Sequence, residues 1–171
     1  QRIWNQWFAG RETPQEAILT VEEKRWLAEH PVIRYAVDPD WAPVEYLDKE
    51  GRPGGITSDY LGRLQQLLGV RFEAVRFATW SEALRQIDDG GIDLLPAAAR
   101  TAARLRRFRF TAPYLSFPAA IFASVDSPFL GNLEALTGKR VAIVDGYAIQ
   151  EWLQQDHPEI RLTPAATATA A

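Results

Sequence analysis

The run Val32-Ile33-Arg34-Tyr35-Ala36-Val37 constrains the fold more than any other stretch of the chain. It is apolar apart from Arg34 and rich in β-branched residues, which predicts a buried strand. The turn-prone Asp38-Pro39-Asp40 ends it. Behind it, Tyr60, Leu61, Leu64, Leu67 and Leu68 form a helical stripe that Gly69 can terminate in a left-handed cap. Residues 70–75 alternate as a strand does. Thr79-Trp80-Ser81-Glu82 has the spacing of a capping box, and Trp80, Ala83, Leu84 and Ile87 give the helix it opens an apolar face. Gly90-Gly91 stops that helix, Ile92–Pro96 reads as a short strand, and Thr101 opens another helix. Strands and helices alternating in units of this size predict a mostly parallel sheet with helices on its faces.

The alternation pauses at Phe110–Pro118 and resumes at Arg140–Val144. Asp145-Gly146, a helix carrying Ile149, Trp152 and Leu153, and a weak strand near Ile160–Leu162 follow. The expectation is α/β, with one complete lobe and only the opening βαβ unit of a second. The final run, TPAATATAA, offers no closing element. Toward the start, Thr20-Val21-Glu22-Glu23 is a second capping box, whose short helix stops before Pro31. Residues 1–19 read as detached: Ile3, Trp4, Trp7 and Phe8 recur at helical spacing, then Gly, Pro and charges intervene. The expected divisions are 1–19, a linker or the tail of a preceding domain; 20–31, a lead-in helix; 32–118, lobe one; and 119–171, part of lobe two.

Composition removes several function classes. There is no cysteine among 171 residues and only His30 and His157, so thiol catalysis, disulfides and zinc sites of the cysteine or multi-histidine type are not expected. A net charge of −3 argues against nucleic-acid binding, despite the basic run Arg104, Arg106, Arg107, Arg109. No apolar run approaches the ~18 residues of a membrane span. Six Trp without a single Met suggest core anchors.

In open parallel sheets, ligands bind beyond the carboxyl ends of the strands. Three loops qualify. Ala97–Arg104 runs from a strand end into a helix start, where free amides and the helix dipole attract anions and Arg104 can grip a carboxylate through two parallel hydrogen bonds. Capping by Thr101, with Arg104 in solvent, is the plainer account of the same residues. Trp41, beside Asp38 and Asp40, can lay an apolar face against a ligand or simply join the core. Gly146-Tyr147-Ala148 is a further helix start.

Several spaced motifs then converge. The run from Asp38 to Tyr46 (DPDWAPVEY), Gly55-Ile56-Thr57-Ser58-Asp59, Gly90-Gly91-Ile92-Asp93, Thr101-x-x-Arg104, Phe110–Tyr114 (FTAPY) and Leu136–Gly146 (LTGKRVAIVDG) occur in order. Together they make residues 30 to about 165 resemble the family 3 bacterial extracellular solute-binding proteins. The resemblance implies a Venus flytrap, that is, a periplasmic-binding-protein-like type II fold with a three-layer first lobe. It implies a carboxylate-binding role for Arg104, backbone contacts at Ala97 and Ala99 near Thr101, a stacking role for Trp41 beside Asp38, and second-lobe contacts at Gly146, Tyr147 and Ala148. Alanine at 97, 99 and 148, where such proteins often place Ser or Thr, leaves only backbone groups there.

A narrower likeness joins residues 19–48 to the flytrap domains of membrane sensors, especially hybrid histidine kinases with tandem flytraps. It implies a periplasmic sensor domain, not itself an enzyme, belonging to a parent with kinase or cyclase output. The implied partners are a small carboxylate or amino-acid-like solute, a preceding flytrap, membrane-linked signalling domains and a second copy in a homodimer, with no cofactor or metal. The alternatives are the solute-binding protein of an ABC uptake system and a periplasmic enzyme of the same fold. For the last, Asp38, Asp40 and Glu45 are the acid–base candidates, but no base and nucleophile pair is legible.

Overall fold

The structure is a computed structural model that describes residues 18–171. The helical spacing of Ile3, Trp4, Trp7 and Phe8 lies outside the described residues. Thr20 forms the full reciprocal capping box with Glu23 and opens α1 (Val21–Glu29). This helix buries none of its side chains, and Trp26 stacks on His30 at its exposed end.

The apolar run becomes β1 (Val32–Ala36), which pairs in parallel with β5 (Arg71–Val75). Between them lie the short antiparallel strands β2 (Asp40–Trp41), β3 (Glu45–Leu47) and β4 (Pro53–Gly54), then α2 (Ile56–Leu68). Gly69 ends α2 with φ at +70°, the left-handed cap its position predicts. The strand expected over Ile92–Pro96 contracts to a single parallel bridge from Leu94 to Tyr35. Backbone bonds join Arg34 and Ala36 to Asp93 and Leu94 there, but the Asp93 carboxylate, which also accepts from the Arg34 guanidinium, takes the Arg34 amide in place of a backbone carbonyl and ends the ladder on that side.

Alternation along β1 assigns its two faces. Tyr35 and Val37 pack with Leu61 of α2, while Ala36 packs with Trp80 and Ala83 of α3 (Trp80–Asp88) and with Ile92. The sheet is thus covered by a helix on either side. The Thr79 hydroxyl caps α3 through the Glu82 amide, but the return bond from Glu82 goes to the amide of Ala78. The helix opened by Thr101, α4, is a single turn, Ala102–Leu105.

Residues 106–133 carry no helix or strand and leave Phe122, Val125 and Phe129 exposed. A 3-10 turn at Glu134–Leu136 leads into β6 (Arg140–Val144), α5 (Ala148–Asp156) and β7 (Arg161–Ala165). β6 and β7 pair in parallel, so the weak strand signal extends further than expected. Leu136, Leu153 and Ile160 form a core of their own. Not every Trp anchors a core: Trp80 is buried, whereas Trp26 and Trp152 are exposed. No helix among the described residues is long and apolar enough to cross a membrane.

Candidate functional site

Arg104 lies on the one-turn α4, and its amide donates to the Thr101 hydroxyl at 3.1 Å. Capping therefore holds, but the side chain does not point to solvent: Arg104 is 3% exposed. Its Nη1 donates to the Ala99 carbonyl (3.1 Å), its Nη2 to the Gly146 carbonyl (2.6 Å) and its Nε to the Glu151 carboxylate (3.0 Å). The first partner belongs to the same lobe, and the other two come from the second. Burial pulls the guanidinium pKa down, and the charge of Glu151 opposes that shift.

The stretch 145–151 makes several further contacts to the first lobe. The Tyr147 hydroxyl donates to Asp38 at 2.5 Å, and Trp80 Nε1 donates to the Gly146 carbonyl at 3.1 Å. The Ser81 hydroxyl reaches Asp145 Oδ2 at 2.5 Å. Trp41 lies half-buried with its ring 6.1 Å from Tyr147 and 6.3 Å from Phe117. This seam holds Asp38, Trp41, Ala99, Thr101, Arg104, Gly146 and Tyr147, with Ala97 and Ala148 buried close by in sequence. Gly146 contributes through its carbonyl, while its amide donates to Gln150 Oε1 at 2.8 Å. Its φ of +78° suits glycine, and an added Cβ would meet Ser81 Oγ at 3.0 Å, so the turn is also a point of close approach between lobes.

The first-lobe floor of the seam is acidic. Asp38 accepts from Tyr147 and from the Asp40 amide, and burial raises its pKa against the lowering effect of both bonds. Asp40 is held at the other end of the chain, where the Thr169 amide and hydroxyl donate to it and lower its pKa. Through Thr169, the Ala-rich tail thus caps this loop. Glu45 is fully buried: Oε1 accepts the Asp38 amide at 3.1 Å, and Oε2 has no hydrogen-bond partner among the described residues. Desolvation pushes its pKa to about 8, so it holds a proton at neutral pH.

Glu151, Ser81, Trp80 and Asp145 are seam residues that sequence reasoning missed. Glu151 carried one usable signal, an acidic side chain in the first turn of a helix after a strand-end glycine. A concavity of about 470 Å³ lies away from the seam, at the start of β1, and is lined by Trp26, His30, Phe72 and Asp93 among others. No group of three or more metal-ligating side chains occurs among the described residues.

The chain is similar in sequence and fold to known proteins. The chain is 28% identical over 152 residues to the virulence sensor protein BvgS of Bordetella bronchiseptica, covering 89% of this chain and 12% of that protein. It is 26% identical over 153 residues to the sensor protein EvgS of Escherichia coli O157:H7, covering 90% and 13%. It therefore spans about an eighth of the length of these curated relatives. A solved histidine kinase sensor domain with similarity to periplasmic binding proteins matches with a TM-score of 0.73 at 30% identity, over 81% of this chain and 61% of that one. The fold is that of a Venus flytrap. The model of the bacterial extracellular solute-binding proteins, family 3, matches residues 33–166, and the chain belongs to that family.

Proposed function

We propose that these residues form a periplasmic sensor domain of a membrane signalling protein, taking a small carboxylate or amino-acid-like solute between the lobes at Arg104. One observation carries the reading: a buried guanidinium at a strand-end loop is shared by both lobes. A solute that touches both lobes stabilises the closed form over the open one, and only that difference can drive a hinge shift in a downstream partner. Trp41 supplies an apolar wall, and Asp38 with Tyr147 supplies a polar one. The names of the curated relatives support sensing over uptake.

Calorimetry against a panel of amino acids and small dicarboxylates tests the assignment. A charged hydrogen-bond pair contributes on the order of 3 kcal/mol, so Arg104→Ala should weaken carboxylate binding by about 100-fold. Unchanged affinity in a variant that retains its circular dichroism melt refutes the role of Arg104.

A further inference from the structure

We infer that Glu151 is a built-in carboxylate ligand for Arg104, which holds the cleft shut in the solute-free protein and competes with an incoming carboxylate for the same guanidinium. The inference rests on the reading of the seam as a solute site and names how that site is regulated.

Geometry supports it in three ways. Every guanidinium nitrogen of Arg104 already has a protein acceptor, and Glu151 is the anionic one. A guanidinium buried to this degree requires a compensating charge, and the second lobe brings one across on the first turn of α5. The position is also favourable for Glu151 itself, because the positive end of the helix dipole stabilises a carboxylate there.

The pair is asymmetric in a way that permits exchange. The Arg104 side chain is 4% exposed while that of Glu151 is 33% exposed. Arg104 is therefore the fixed partner and Glu151 the one that can swing into solvent when another carboxylate arrives. The contacts of Tyr147, Asp145 and Gly146 to the first lobe would outlast that exchange, since none of them uses Glu151. A solute thus meets a cleft whose guanidinium is occupied but displaceable. Its measured affinity is its own affinity reduced by that of the tethered competitor.

The experiment places spin labels at Gln66→Cys on α2 and Gln155→Cys on α5, both exposed positions, in the full chain without added solute. The cysteine-free composition of these residues keeps labelling there specific. The unsubstituted cleft should give a short interlobe distance, and Glu151→Gln and Glu151→Ala should each shift population to longer distances. Acetate is the probe for the vacated guanidinium. It should restore the short distance in Glu151→Ala, with an affinity about tenfold or more above that for the protein retaining Glu151. Distance distributions and acetate affinity unchanged in both variants overturn the inference, even if amino acids bind. Opening in both variants, with no acetate or panel solute bound by any form, keeps Glu151 as the latch and overturns the solute reading instead.

Discussion

Glu45 shows what a single residue can impose on the molecule. Its carboxyl is fully buried on β3 and keeps its proton to about pH 8, against an ordinary value of 4.5. Between those two values the folded chain binds more protons at this group than the unfolded chain does. Stability from Glu45 is therefore complete below pH 4.5 and is lost as pH rises through 8. Asp38, also raised by burial, acts in the same direction. The melting temperature should accordingly fall between pH 5 and pH 8, and Glu45→Gln, which mimics the neutral form, should flatten that fall. An equally steep decline in the variant would remove Glu45 as its source. Arg104 was legible as a candidate because it follows a strand-end loop. Its partner was not, because Glu151 lies 47 residues away and its one local signal, an acidic side chain in a first helical turn, does not say what it meets.

At the scale of elements, caps and packing have separable consequences. α1 has the complete capping box and no buried residue, whereas α3 has a single Thr79 bond and buries Trp80 and Ala83. Loss of a cap stabilising a packed helix costs about 1 kcal/mol. Thr79→Ala should lower the urea midpoint by that equivalent, while Thr20→Ala should only fray α1 and leave the midpoint within about 0.5 kcal/mol. Equal losses at both positions would mean that α1 is packed more firmly than its exposure indicates. Helices α2, α3 and α5 were readable from apolar spacing, since each buries one stripe. The strand at Ile92–Pro96 was overestimated because apolar alternation does not reveal that the Asp93 carboxylate takes the Arg34 amide from the ladder. The helix after Thr101 was recognised by its cap, but periodicity offered no sign of its stopping after one turn.

Across the whole molecule, the first lobe, with a buried cluster on each face of its sheet, and the second lobe, with a third cluster, meet along a seam that residues 145–151 form with the strand-end loops of the first lobe. Gly146 sets how closely they meet. An alanine there would face both a left-handed φ and Ser81 Oγ at 3.0 Å. Gly146→Ala should destabilise by about 1 kcal/mol from the backbone alone, and it should widen the interlobe distance. A narrow distance distribution identical to that of the glycine form would show that the lobes do not depend on this approach. The local sequence determined the strands, helix stripes, caps and strand-end loops, because hydrophobic period and capping chemistry act over a few neighbouring residues. Only the tertiary structure decided that Arg104 meets Glu151, that Tyr147 reaches Asp38 across 109 residues and that Thr169 closes on Asp40. Those pairings depend on the relative orientation of the two lobes, and no local periodicity encodes it.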